Sequence, residues 1–240
     1  MTYIIYLYQA IFYRPILNIL VYFYQTIAGH DFGLAIIFAT LLIRFVLYPL
    51  FHKGAKHQMA LQRLQPKIKK IQEVHKNDKQ KQSEALMELY KEHGVNPFLS
   101  IILLIVQLPI LLSLYRIILS GLGAGGIGSG LYSFVAAPQT INALFLGVLD
   151  LKQHSIILVL LTAIAQYFQS RLAIYRAPNA GEPSPMEKMA KQMAFIGPVI
   201  TVVIFYNLPA GVSLYWLVSS LFSIGQQLIV NKHLREKYGE

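Results

Sequence analysis

The chain has 240 residues, 55% of them apolar and only 13% charged, with a mean hydropathy of +0.49. A soluble domain carries roughly 25% charged residues, so an ordinary soluble fold is excluded and a polytopic membrane protein is the natural class. The formal charge of +10 admits nucleic acid or an anionic membrane surface as partner until the charges are placed, and zero cysteine excludes disulfides, thiolate metal sites, a catalytic thiol and a lipid-anchor cysteine.

Residues 1–30 are apolar and rich in tyrosine, with an Arg-Pro pair (Arg14, Pro15) in the middle. Tyrosine favours the water–lipid boundary, and a mid-segment Arg-Pro argues against a full span. The segment is therefore expected to be a helix lying in the outer interface. No basic start with a small-residue cleavage site marks it as a signal peptide. A first span is expected over residues 31–51, with Asp31 as N-cap.

Residues 52–96 are long, charged and helix-forming. Leu61, Leu64, Ile68 and Ile71 recur at helical spacing, as do Leu86, Leu89 and Tyr90, with Asn77-Asp78 as a turn between them. This predicts a helical hairpin ended by Gly94. Asn96-Pro97 opens a second span, residues 97–119, kinked by Pro109. Residues 120–154 begin with GLGAGGIGSG and form an external loop. A third span follows at 155–171, a loop at 172–189, a fourth span at 190–206, a turn at 207–211, a fifth span at 212–231 and a tail at 232–240. Ser184, Pro185 and Glu187 match a capping box before the fourth span.

Lysine and arginine orient these spans. Ten lie in the hairpin, four between residues 171 and 191 and three in the tail, 17 of the 21 in all. Such asymmetry predicts that the hairpin, the 172–189 loop and the C-terminus are cytosolic. The charge is then explained by topology, and no specific nucleic-acid binding is expected.

Arg44 lies well inside the first span. A central arginine costs roughly 2.5–3.5 kcal/mol on insertion scales. Snorkelling to the headgroups is one reading, and a water-filled cavity within the bundle is the other. Neighbouring polar residues favour the cavity: Thr40 one turn away, Gln107 in the second span, Thr162, Gln166 and Gln169 in the third, and Ser220, Ser223 and Gln227 in the fifth, below Trp216. Singly, each fits ordinary helix–helix hydrogen bonding. Together they predict a hydrated groove open to the cytosol and closed outside, where the outer halves are mainly apolar. A channel needs a polar path through both halves, and a coupled transporter usually has intramembrane acids or inverted repeats; neither is evident. HExxH and GxSxG are missing, and the Gly-rich loop lacks the Lys-Ser/Thr of a phosphate cradle, so no enzyme, cofactor or metal site is expected.

Five stretches carry a family resemblance: LLIRFVLYPL, LQRLQPKIKKIQE, EALMELYKEHGVNPF, LLIVQLPILLSLY and PVITVVIFYNLPAGVSLYWLVSSLFSIGQQ. In order and spacing the chain resembles the YidC-type membrane protein insertases (the YidC/Oxa/Alb family), over essentially residues 1–235. The resemblance implies an all-α fold with five spans, an outer interfacial helix and a cytosolic hairpin, in a bacterial cytoplasmic membrane. It implies an insertase that takes hydrophobic segments of nascent membrane proteins into a hydrated groove and releases them sideways into the lipid bilayer, aiding their folding, without nucleotide hydrolysis. The groove arginine maps to Arg44, the polar residue of the QLPI motif to Gln107, and the substrate-contacting aromatics to Tyr215 and Trp216. The hairpin is implied in recruiting substrate or targeting factors, with a Sec translocon, the ribosome and a signal recognition particle receptor as candidate partners. The chain departs from common members in lacking a large outer domain and a lipobox cysteine, and its tail is short, which counts against ribosome docking through it. The main rivals are an assembly chaperone without autonomous insertion and a small transporter or channel.

Overall fold

The chain is described, in a computed structural model, for residues 2–119, 130–174 and 185–238. Its first helical stretch consists of α1 (Thr2–Tyr8), a π-helical turn (Gln9–Tyr13) and α2 (Arg14–Thr26). Pro15 accounts for the wide turn: it has no N–H to donate and its ring crowds the carbonyl four residues earlier. Asp31 caps α3 (Phe32–Val46) by accepting from the Leu34 N–H at 2.9 Å, in line with the sequence. The helix expected to continue to residue 51 instead breaks at Leu47, and α4 (Tyr48–Arg63) leaves at 66°. Pro49 sits in the first turn of α4, where its missing N–H costs nothing, so it starts a new helix rather than prolonging the old one.

The charged segment folds as α4, α5 (Gln65–Val74) and α6 (Lys79–Glu92). The two apolar stripes meet, burying Leu64, Ile68, Leu89 and Val95 in a small core of their own. Asp78 caps α6 through the Lys81 N–H, and Gly94 ends the segment at φ 61°, a left-handed conformation that glycine adopts freely. His57 Nδ1 accepts from the Asn96 N–H at 3.2 Å and ties α4 to the start of α7 (Leu99–Leu119). The Asn96 side chain accepts from the Phe98 N–H, so the expected cap forms, although α7 begins two residues beyond Pro97.

Residues 130–154, expected as part of the external loop, contain a two-stranded antiparallel hairpin of β1 (Leu144–Phe145) and β2 (Leu149–Asp150). Then come α8 (Ile156–Ala173), capped by Ser155, α9 (Pro185–Phe205) and α10 (Ala210–Tyr238). Most of GLGAGGIGSG and of the loop before α9, with the Ser184 cap, lies outside the described residues. α8 packs between α9 and α10, α10 packs on α3, and α3 packs on α2; α7 touches α2, α4 and α10.

At one end, the loop end, Leu20, Phe32, Ile36, Leu114, Ile118, Leu151 and Val212 are almost fully buried in a single core. The 130–155 segment covers it. Asn18 Nδ2 donates to Gly130 O, Asn18 Oδ1 accepts from the Tyr132 N–H, the Tyr24 hydroxyl accepts from the Asn142 N–H, and Asp31 Oδ2 accepts from the Leu146 N–H. α10 starts against this lid, its Gly211 N–H donating to Leu151 O at 3.0 Å, and a Cβ on Gly211 would lie 2.8 Å from Ile118 Cδ1 of α7. At the opposite, hairpin end, the bundle opens.

Among the described residues, Tyr3–Thr26, Ile101–Leu119 and Ala210–His233 are each long and apolar enough to cross a membrane. The bent pair α3–α4 makes a fourth if taken as one span. The sequence reading placed the first of these in the interface because of Arg14 and Pro15; by length and composition alone it qualifies as a span. Two further apolar helices, Ile156–Leu172 and Lys191–Phe205, are shorter. At 1.5 Å per residue α8 is about 27 Å long, close to the ~30 Å hydrocarbon core.

Candidate functional site

Where α3, α4, α7, α8, α9 and α10 diverge toward the hairpin end they enclose an open cleft of about 520 Å³. Arg44 from α3 lies in its wall, 7% exposed. Its guanidinium sits 4.5 Å from the centroid of the Phe51 ring, and its Nη1 has no hydrogen-bond partner among the described residues. A desolvated cation over a ring gains about 2 kcal/mol, comparable to the cost of one unsatisfied buried polar group but short of that for a charge. The arrangement leaves Arg44 with unspent capacity to bind an anion or water.

α10 supplies Trp216, Ser219, Ser220, Ser223, Gln226 and Gln227 to the cleft, at the spacing of one helical face. α8 supplies Gln166, Gln169 and Ser170, and α7 supplies Gln107 with Leu103 and Leu104. The sequence thus brings Arg44, Gln107, Gln166, Ser220, Ser223, Gln227 and Trp216 together. Three expected members stand behind the wall. Thr40 and Thr162 are buried and donate to the carbonyls of Ile36 and Leu158 in their own helices, Thr162 also to Ser213 O. Tyr215, 1% exposed, accepts the Gln107 amide N–H on its hydroxyl and so fixes the orientation of that glutamine. Gln166 is held by the Thr201 hydroxyl, which donates to its Oε1.

Sequence reasoning missed the contribution of α4. Phe51, Ala55, Gln58 and Gln62 line the cleft, because the 66° bend turns that face under the bundle. Their 4-3-4 spacing marks a helical face, but only the bend says what it faces. Gln62 Nε2 donates to Ala173 O, Gln226 Nε2 to Tyr48 O, and Asn231 Nδ2 to Leu172 O, so amide side chains clamp α4, α8 and α10 around the mouth.

The cleft is amphipathic. Its amide and hydroxyl groups provide the several polar partners that ordered water requires. Its other edge is greasy: Leu103 and Leu104 from α7 on one side, Met193 and Ala194 from α9 on the other, and Trp216. Among the described residues, α7 and α9 do not pack closely on one another, so this edge gives onto the outside of the bundle. The exposed Ile101, Ile105, Phe195 and Ile196 continue it outward.

Fold and cleft together define a polytopic helical membrane protein with a polar groove at one end and a sealed core at the other. The chain belongs to the 60Kd inner membrane protein family, whose model matches residues 22–237. It is 33% identical over 221 residues to the membrane protein insertase YidC of Streptomyces avermitilis, over 84% of this chain and 51% of that one. To the proteins of the same name from Geobacter metallireducens and Francisella tularensis subsp. novicida it is 30% and 34% identical, over 94% and 85% of this chain and 38% and 33% of theirs. It is similar to an active YidC insertase crystal structure with the first transmembrane domain resolved, with a TM-score of 0.60 and 28% identity over 89% of this chain and 45% of that one. The chain spans between a third and about half of the length of these relatives. The resemblance read from its five motifs holds.

Proposed function

We propose that the chain is a membrane protein insertase that receives hydrophobic segments of nascent proteins in the Arg44 groove and releases them sideways into lipid. The observation that carries this reading is an incompletely satisfied cation in the wall of a polar cleft whose other edge is apolar and open. The insertase names of the relatives support it. In the topology that goes with it, the hairpin, the 172–189 loop and the C-terminus face the cytosol of a bacterial cell, five spans cross the cytoplasmic membrane, and residues 1–30 lie at the outer interface.

The acidic or polar flank of an arriving segment is drawn to Arg44 and stays partly solvated by Gln107, Gln166, Ser220 and Ser223. Two unit charges 4 Å apart attract by about 4 kcal/mol at an effective dielectric of 20. That offsets the ~2.5–3.5 kcal/mol that an acidic residue costs at a helix centre. The flank then has only the sealed half left to cross. The apolar part meanwhile slides past Leu103, Leu104, Met193 and Trp216 between α7 and α9, and its burial in lipid drives the step. Tyr215 is a positioning residue, holding Gln107 toward the groove. Nascent membrane proteins and the bilayer are the partners this requires; a Sec translocon, the ribosome and a signal recognition particle receptor would meet the chain at the hairpin side.

The test is insertion of an acidic-flanked single-span substrate into proteoliposomes holding only this protein. Arg44→Ala is expected to lower insertion about tenfold, the equivalent of ~1.4 kcal/mol, while a substrate with an uncharged flank changes less. Equal insertion by Arg44→Ala and the parent chain overturns the charge-attraction step. Failure of the parent chain to insert anything unaided favours an assembly chaperone instead.

A further inference from the structure

A second cavity lies away from the groove, on the outer surface at the loop end. It is a slot of about 340 Å³ between α2, α3 and residues 132–135. Pro15, Ile19, Tyr22 and Phe23 line it from one face of α2, at the 15, 19, 22, 23 spacing of a helical stripe, and Leu42 lines it from α3. Tyr132, Phe134 and Val135 form the remaining wall, and Phe134 is 77% exposed. Besides the tyrosines Tyr22 and Tyr132, the slot has a polar side chain in Asn18, and that group is already occupied. Its Nδ2 donates to the carbonyls of Arg14 and Gly130, and its Oδ1 accepts from the Tyr132 N–H. An occupant therefore meets hydrocarbon on every side.

At the slot's edge stands one cation. The Arg14 guanidinium packs 5.7 Å from the centroid of the Tyr132 ring, which is itself a wall of the slot, and Arg14 Nε donates to Gly130 O at 3.4 Å. These contacts hold the charge in place, yet no acidic side chain pairs with it among the described residues. A fixed, exposed guanidinium beside an apolar slot is complementary to a molecule with an anionic head and a hydrocarbon tail. The rim of Tyr22, Tyr132 and Phe134 has the composition of a membrane interface.

We propose that this slot is a binding site for one anionic phospholipid, with its phosphate on Arg14 and one acyl chain between α2 and the 132–135 segment. It rests on the membrane reading above and not on the insertion mechanism. The bound lipid fills the seam by which the loop-end lid meets α2, so it is part of the seal and distinct from the shell of exchanging lipid around the protein.

The chain has a single tryptophan, Trp216, so a lone reporter is made by combining Trp216→Phe with Phe134→Trp. This double variant is reconstituted into phosphatidylcholine vesicles containing a minor fraction of either acyl-brominated phosphatidylglycerol or acyl-brominated phosphatidylcholine. Brominated phosphatidylglycerol is expected to quench the reporter at about fivefold lower mole fraction, the preference that one favourable basic contact at a membrane surface gives. Adding Arg14→Gln should abolish the preference, Arg14→Lys should keep most of it, and Ile19→Phe, which fills the slot, should remove it with the cation intact. Equal quenching by the two lipids, or a preference that survives both Arg14→Gln and Ile19→Phe, overturns the proposal. Flotation separates the two levels: protein that does not float with the vesicles contradicts the membrane reading and the site together, whereas floating protein without lipid preference contradicts the site alone.

Discussion

The two halves of the bundle are built from the same helices, and four of these differ along their length. On α3, Phe32 and Ile36 give way to Thr40 and Arg44; on α10, Val212 and Leu214 give way to Ser220, Ser223 and Gln227. On α8, Leu158 and Val159 precede Gln166 and Gln169, and on α7, which runs the other way, Gln107 precedes Ile110, Leu114 and Ile118. At the loop end apolar faces meet and a pinned segment covers them. At the hairpin end polar faces meet around space. One-sidedness is therefore written into α3, α7, α8 and α10 as a change of character near the middle of each.

If the sealed half owes its stability to close packing, creating a cavity there is the most damaging change. Leu114→Ala is expected to lose about 2–5 kcal/mol, read as a lowered thermal midpoint in detergent. The seal also depends on the lid. Asn18→Ala removes three hydrogen bonds that tie Arg14, Gly130 and Tyr132 together, and is expected to cost about 1–3 kcal/mol and to increase protease cutting within residues 130–155. In the groove the same kind of truncation should hardly matter: Ser220→Ala is expected to stay within about 0.5 kcal/mol. A large loss at Ser220 with none at Leu114 would reverse the comparison.

Much of this was legible from residues. Asp31 was readable as a cap because an acceptor stands before an apolar run, and the structure gives it a capping bond from the Leu34 N–H and a second one from Leu146. The hairpin stripes were readable from spacing alone, and the polar faces of α8 and α10 from serines, threonines and glutamines inside apolar runs. What was not legible depends on geometry between elements. Pro49 is visible in the sequence, but the 66° bend it accompanies is not, and without it Gln58 and Gln62 read as solvated hairpin residues. Asn18 reads as a stray polar residue until residues 130–132 are folded against it. Tyr215 and Trp216 are adjacent, so on a helix they must point apart; only the packing says that Trp216 reaches the groove while Tyr215 stands behind Gln107.

The groove requires that water reach the hairpin half of the bundle and not the loop half. The chain has no cysteine, so single cysteines can be placed without a background, and α10 offers two serines ten residues apart for near-isosteric replacement. Ser223 lines the groove and Ser213 lies fully buried beside Thr162. Labelling of Ser223→Cys and Ser213→Cys in folded, membrane-embedded protein with a water-soluble maleimide compares the halves directly. Rapid modification is expected at position 223 and none at 213 until the protein is unfolded; equal labelling at both, or protection of 223, would contradict a water-filled groove beneath a sealed half.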